Sequence, residues 1–161
     1  MGRDRVIEME PNLNPDVMGA IYAPTAGIIC PYEYCFALIG NAMENGVELF
    51  LDNKVSWIGK NISDKFEIET EDGRKFVSNY VINAAGLYAD EIAKFVGLTD
   101  FRILPRKGEE YLLDRRVGTL VKRVIFPCPT KSSKGMLVIP TVDGPVMVGP
   151  TALDIEDKSD F

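Results

Sequence analysis

The complete absence of histidine from the 161 residues limits the side-chain chemistry available to this chain. Without an imidazole, these residues can form no Ser-His-Asp or Cys-His nucleophile pair, no imidazole proton shuttle and no histidine metal site. The three cysteines, Cys30, Cys35 and Cys128, are an odd number without CxxC spacing. They predict reduced, structural thiols in a cytoplasmic protein, and a redox pair between Cys30 and Cys35 is the alternative.

Residues 81–90 join an apolar strand to small residues and then to a helix that begins with acids, in the sequence VINAAGLYAD. Because Ala84, Ala85 and Gly86 carry almost no side chain, the backbone there could approach a flat or anionic group closely. A tight packing corner between a strand and a helix explains the same residues equally well. This segment is the most informative one for function.

The composition, with 46% apolar and 26% charged residues, is typical of a folded globular protein. A net charge of −6 makes nucleic acid an unlikely class of partner. No apolar stretch approaches the ~18 residues that a membrane-spanning helix needs.

The elements that position these residues follow from hydrophobic periodicity. A helix is predicted from Pro31 to Asn45, with Gly46 as its stop, and a second helix from Tyr88 to Val96, with Gly97 as its stop. A three-stranded meander is predicted at 54–58, 65–70 and 75–78, followed by an apolar strand at 80–86. The other predicted strands or extended runs are 20–23, 27–30, 47–50, 101–104, 110–114, 123–126, 135–140 and 146–149.

Two Asp-Gly pairs, Asp72-Gly73 and Asp143-Gly144, mark exposed hairpin turns. The resulting fold class is α+β, with a meander-plus-crossover half and an antiparallel-sheet half. The polar opening at 1–16 and the acidic end at 153–161 are typical of a piece cut from a longer chain.

Four motifs resemble, in order, those of the D-amino-acid-oxidase-like FAD oxidoreductases. Residues 27–31, GIICP, are similar to the family's G-x-(D)-P entry to a helix, and residues 81–90 to its V-I-N-A-A-G-x-x-A-D strand. Residues 105–111, PRKGEEY, are similar to P-x-K/R-G-E-Y. Residues 139–152 resemble the P-T-x-D-G-x-x-x-x-G-P-T-A hairpin of the glycerol-3-phosphate dehydrogenase and L-2-hydroxyglutarate dehydrogenase branch.

The family's G-x-G-x-x-G fingerprint is absent from these residues. The resemblance therefore implies an internal fragment of a larger flavoenzyme that comprises all of 1–161. It implies that 31–97 belong to an FAD-binding domain, including the meander and crossover. Residues 17–30 and 98–152 would then belong to an antiparallel or mixed substrate-binding sheet.

The resemblance also implies roles for individual residues. Val55 would meet the adenine of FAD through its backbone, and Ala84, Ala85 and Gly86 would pass along the ADP moiety; a core strand valine is the alternative for Val55. Lys107 and Tyr111, expected on one face of one strand, are the substrate-binding candidates.

Other interpretations of the basic residues remain. Arg106 replaces Lys107 if the register shifts by one residue, and Lys107 and Tyr111 could instead be a solvated strand edge and a half-buried aromatic. A second basic cluster is predicted to be solvated: Arg115, Arg116, Lys122 and Arg123.

The implied activity is that of an FAD-dependent dehydrogenase acting on a small anionic hydroxy compound. Glycerol 3-phosphate, oxidised to dihydroxyacetone phosphate by hydride transfer to the flavin, is the leading substrate. Oxidation of 2-hydroxyglutarate, amine oxidation and a non-catalytic interaction domain are the alternatives. No residue is assigned as the catalytic base, which lies outside the segment or is a lysine or water. The isolated segment is expected to be inactive.

Overall fold

The computed structural model describes residues 1–130 and 135–160, which form two compact units. The first unit comprises Met1–Asn45 and Gly108–Leu153, and the second comprises Gly46–Lys107 and the chain from Asp154 onward. Helices and antiparallel sheets occur together, in agreement with the predicted α+β class. No helix in the described ranges is both long and apolar enough to cross a bilayer.

The second unit contains the predicted meander. Strands β1 (Val55–Lys60), β2 (Phe66–Thr70) and β3 (Lys75–Ser78) form an antiparallel sheet in the order β1-β2-β3. Ile58 in β1 and Thr70 in β2 are the buried residues of this sheet. The Asp72-Gly73 turn between β2 and β3 is exposed, as predicted, because Asp-Gly accepts the backbone conformation of a tight hairpin.

After the meander, the chain forms a short helical corner. A 3₁₀ turn at Gly86–Tyr88 leads into α3 (Ala89–Lys94), and Gly97 (φ +81°) ends the helical region as predicted. The strand predicted at 80–86 is wrong in this structure, because residues 80–85 have no ladder partner among the described residues. Ile82 is 90% exposed rather than buried.

The first unit begins with a helix that was not predicted, α1 (Arg3–Met9). Its polar sequence, RDRVIEM, has one buried residue, Val6, so the apolar periodicity is too weak to reveal it. The predicted helix α2 (Pro31–Glu44) is confirmed, with Pro31 in the first turn and Gly46 at φ +88° after the end. None of the side chains of α2 is buried.

The first unit also contains the sheet β5-β7-β6, formed by β5 (Tyr111–Leu112), β6 (Leu137–Pro140) and β7 (Val146–Gly149). Val146 is fully buried in it, and the exposed Asp143-Gly144 turn joins β6 to β7 as predicted. The remaining strands are β4 (Arg106–Lys107), which belongs to the second unit, and β8 (Leu153–Asp154), at which the chain enters that unit again; they form a two-stranded sheet.

Several predicted strands are absent from the described residues. Residues 123–126 contribute one bridge, Ile125 to Val138, and 47–50 and 101–104 contribute no strand. Residues 20–23 and 27–30, predicted only as short extended runs, also lie outside the strands. An extended run becomes a strand only when a neighbour completes its hydrogen-bond ladder, and these runs have no such neighbour in the described part of the chain.

Candidate functional site

An asparagine side chain makes two hydrogen bonds across the corner between residues 83 and 89. Asn83 Nδ2 donates to the carbonyl oxygen of Ala89 at 2.8 Å, and Asn83 Oδ1 accepts from the backbone N–H of Ala85 at 3.3 Å. Tyr88 N–H donates to Ala85 O at 3.0 Å and closes the 3₁₀ turn. Asn83 therefore fixes both sides of the small-residue segment, a role that its position in the motif did not reveal.

The outer surface of this corner is bare backbone. Ala84, Ala85 and Gly86 are all exposed, and a Cβ added at Gly86 would meet no other atom within 4 Å. Gly86 has φ +54°, a left-handed conformation that glycine adopts without the usual steric cost. The corner can therefore receive a flat or anionic group against its backbone, and the space that a Cβ at position 86 would fill is available to it.

A buried carboxylate follows the corner in the sequence. Asp90, 2% exposed, accepts from Ile103 N–H at 3.2 Å and from Lys158 Nζ at 2.5 Å. These donors hold the pKa of the Asp90 carboxyl below its usual value, with the Lys158 hydrogen bond as the main cause. The same bond raises the pKa of Lys158. Both groups are charged at neutral pH, so the pair is an ion pair.

Val55 lies at the start of β1. It is half-buried and pairs with Thr70, and the register between β1 and β2 shifts between Val55 and Trp57. Such an irregularity disrupts the ladder locally and can leave backbone groups without strand partners. This position is compatible with backbone recognition of a ligand and also with a strand valine.

Lys107 is the more enclosed of the two neighbouring basic residues in β4. Its side chain is 25% exposed and its ammonium lies 2.7 Å from Asp160 Oδ1. The Arg106 side chain is 60% exposed and lies 3.5 Å from Asp154. Of the two register alternatives, Lys107 is therefore the residue that faces a partly enclosed environment.

Tyr111 does not share a strand face with Lys107, so that prediction is wrong. Lys107 belongs to the sheet β4-β8, whereas Tyr111 pairs with Val148 in the sheet β5-β7-β6. Between them, the Glu109 carbonyl accepts from Thr151 N–H at 2.9 Å, and the chain changes partner. Tyr111 is 72% exposed.

The second basic cluster is only partly solvated. Arg115, Arg116 and Lys122 are exposed as predicted. Arg123 departs from that prediction, because its guanidinium lies 3.0 Å from Glu10 Oε1, a carboxylate that is 5% exposed. The burial of Glu10 requires a charge partner, and the sequence separation of 113 residues conceals this one.

The Glu10–Arg123 pair lines a cavity of about 800 Å³ in the first unit. Its other walls include Val6, Tyr22 and Ile125. None of the site residues predicted from sequence is among its described lining residues.

Comparison with known proteins identifies the family. The model of the FAD dependent oxidoreductase family, DAO, matches residues 1–161. A glycerol 3-phosphate dehydrogenase of Caloramator mitchellensis is 47% identical over 99% of this chain and 33% of its own length. An L-2-hydroxyglutarate dehydrogenase of Escherichia coli (strain K12) is 28% identical over 95% of this chain and 36% of its own length.

A solved structure agrees with these matches. The dithionite-reduced L-alpha-glycerophosphate oxidase of Mycoplasma pneumoniae, with FAD bound, superposes with a TM-score of 0.74 at 30% identity. The match covers 98% of this chain and 42% of that one, so this chain spans less than half of such a relative. Family, fold and motifs agree, and the chain belongs to the FAD dependent oxidoreductases.

Proposed function

We propose that this chain is the central segment of an FAD-dependent dehydrogenase that oxidises glycerol 3-phosphate to dihydroxyacetone phosphate. The observation that carries the substrate assignment is the 47% identity to a glycerol 3-phosphate dehydrogenase over 99% of the chain. The relative acting on L-2-hydroxyglutarate is less similar, at 28% identity. Glycerol 3-phosphate and L-2-hydroxyglutarate are both small anionic hydroxy compounds, so the proposed substrate class does not depend on the choice between them.

The cofactor-binding part of the proposal rests on the bare corner. Ala84, Ala85 and Gly86 would hold the ADP portion of FAD against exposed backbone, and the open space at the Gly86 Cβ position fits this role. Val55 would contribute backbone groups at the irregular start of β1. When bound, FAD supplies the capacity to accept a hydride from the carbinol carbon of the substrate.

The domain assignment is part of the same proposal. Residues 31–97 would belong to the FAD-binding domain, and 17–30 and 98–152 to the substrate-binding sheet. The exposed apolar side chains of α2, such as Phe36 at 72% and Leu38 at 54%, support packing against the remaining part of the parent chain. The free thiols of Cys30, Cys35 and Cys128 support a cytoplasmic, reducing location.

On the substrate side, we assign Lys107 and Tyr111. The Lys107 side chain is partly enclosed, at 25% exposed, and its ammonium would hold the phosphate of an anionic substrate by taking the place of its present partner, the exposed carboxylate of Asp160. The exposed hydroxyl of Tyr111 can donate a hydrogen bond to the substrate oxygen as negative charge develops on it. Tyr111→Phe is then expected to lower kcat more than it raises KM, because the hydroxyl acts as the charge forms.

Anaerobic flavin bleaching in the full-length protein tests the proposed activity. Glycerol 3-phosphate should bleach the flavin absorbance, and L-2-hydroxyglutarate should not. The reverse result would assign the hydroxyglutarate activity, bleaching by an amine alone would assign amine oxidation, and bound flavin that no substrate bleaches would leave a non-catalytic protein. The 161 residues alone are expected to be inactive.

A further inference from the structure

The Lys158–Asp90 ion pair is more enclosed than the other ion pairs among the described residues of the second unit. The side chains of Lys158 and Asp90 are 14% and 3% exposed, and Lys158 Nζ also lies 3.2 Å from Glu91 Oε1. By contrast, the Lys54–Glu71 pair has the same nitrogen–oxygen distance of 2.5 Å, but its side chains are 76% and 57% exposed. An exposed pair contributes little to stability, whereas a buried carboxylate depends on its partner.

Contacts of this pair lead directly to the cofactor-facing residues. Asp90 lies in the first turn of α3, immediately after the 3₁₀ turn that begins at Gly86. Lys158 Nζ lies 5.5 Å from the centre of the Tyr88 ring, a cation–π distance, and Tyr88 is the last residue of that turn. Lys158 therefore contacts two residues next to the small-residue segment, the ring of Tyr88 and the carboxylate of Asp90.

The segment that carries Lys158, residues 154–160, is itself anchored within the second unit. Ile155 N–H donates to Pro105 O at 3.2 Å, and Lys107 Nζ donates to Asp160 Oδ1 at 2.7 Å. These contacts lie on either side of Lys158 in the sequence. Lys158 therefore lies between two anchored residues, Ile155 and Asp160, and this limits the positions that its ammonium can take relative to Asp90.

We propose that Lys158 is a positioning residue for FAD binding, holding the 3₁₀ turn through Asp90 and Tyr88 so that Gly86 presents its backbone to the cofactor. The proposal rests on the proposed function, because it assumes that FAD lies against the corner. Asn83 also contributes to the same corner, because its side chain donates to Ala89 O. The corner is therefore held by Asn83 as well as by Lys158. Removing Lys158 leaves the Asn83 contacts and the backbone hydrogen bond of the 3₁₀ turn, together with a buried carboxylate that has lost its cation.

The test compares FAD affinity with apoprotein stability in the full-length protein. Lys158→Met should weaken FAD binding about 10-fold, a change within the range that residues coupled to a site produce. Lys158→Arg, which keeps the cation, should restore most of the affinity. Lys54→Met is the matched control, since it removes an equally short but exposed ion pair of the same unit, and it should leave FAD affinity unchanged.

A double variant separates positioning from the cost of an unpaired buried charge. Asp90→Asn/Lys158→Met removes both charges, and the amide oxygen can still accept from Ile103 N–H. The proposal requires that FAD affinity stay about 10-fold low in this variant while apoprotein stability recovers. Wild-type FAD affinity in Lys158→Met or in the double variant would overturn the proposal and leave a purely structural ion pair. A wild-type protein that binds no FAD would refute the proposed function and this inference together, whereas unchanged affinity in Lys158→Met refutes this inference alone.

Discussion

Gly86→Ala tests whether the corner is a cofactor surface or a packing corner. Apart from its two chain neighbours, the added methyl group would meet no atom of the described residues within 4 Å, so its cost within the protein is mainly backbone strain at φ +54°. A left-handed non-glycine residue costs roughly 1–2 kcal/mol, and alanine recovers about 0.4–1 kcal/mol through the less flexible unfolded chain. The apoprotein should therefore lose about 1 kcal/mol of unfolding free energy.

Gly97→Ala is the matched control for that strain. Gly97 also has a left-handed φ, +81°, and a Cβ there would also meet nothing within 4 Å, but it lies after the far end of α3. Both variants should therefore lose similar stability without FAD. Only the methyl group at position 86 occupies the space where we place the cofactor, so only Gly86→Ala should weaken FAD binding, by about 10-fold for each 1.4 kcal/mol of lost contact.

The measurements are FAD titration and thermal unfolding of the full-length protein, each with and without saturating FAD. The stabilisation that FAD confers should shrink in Gly86→Ala and stay intact in Gly97→Ala, because a ligand stabilises in proportion to its affinity for the folded state. Gly86→Val should show the same pattern with a larger loss, since its branched Cβ is bulkier. Equal losses of melting temperature with and without FAD in Gly86→Ala would refute the cofactor assignment and establish a packing corner.

Three further predictions follow from other parts of the structure. Lys107→Met should raise the KM for glycerol 3-phosphate by about 10- to 100-fold, as expected for a lost charge-assisted hydrogen bond. Flavin content should stay unchanged, because the Ile155–Pro105 hydrogen bond still anchors the segment that carries Lys158. Arg106→Met is its control and should have wild-type kinetics. A raised KM in Arg106→Met with wild-type kinetics in Lys107→Met would mean that the substrate-facing side of β4 was assigned one residue out of register. Ile58→Ala, at a core position that is 4% exposed, should lower the free energy of unfolding, measured with denaturant, by about 2–5 kcal/mol. A smaller loss would show that neighbouring side chains move into the space that the substitution leaves. Because the Lys158 hydrogen bond lowers the pKa of the folded-state Asp90 carboxyl, its contribution to stability is complete above the usual carboxyl pKa and is lost as the pH falls towards the lowered value. Unfolding measured between about pH 5 and pH 3 should therefore show a smaller acid destabilisation in Asp90→Asn than in wild type.

Elements with strong local signals could be predicted from the sequence. The helix α2 has Pro31 in its first turn and a glycine just beyond its end, and both hairpin turns carry Asp-Gly. Each of these signals acts within a few residues, because it depends on the φ angle that one residue can adopt. Their positions in the structure match the predictions within one or two residues.

Features that depend on distant partners could not be predicted. Residues 47–50 and 80–85 have strand-like composition but no ladder neighbour in the described part of the chain. The burial of Glu10 depends on Arg123, and the burial of Asp90 depends on Lys158, 68 residues away. Hydrophobic periodicity describes one segment at a time, so it does not reveal which distant charged residues form an ion pair.

The candidate site illustrates why small residues alone do not define a function. Ala84, Ala85 and Gly86 make backbone accessible, but an accessible backbone recognises a ligand only if its conformation is fixed before the ligand arrives, since ordering it on binding costs conformational entropy. Asn83 supplies part of that order through two hydrogen bonds to the corner. The buried Asp90, placed by the same motif four residues after Gly86, supplies a further part through contacts that reach Ile103 and Lys158. The polar residues at both ends of the motif thus provide the rigidity that the small residues between them lack, and their loss should weaken ligand binding even though neither side chain needs to touch the ligand.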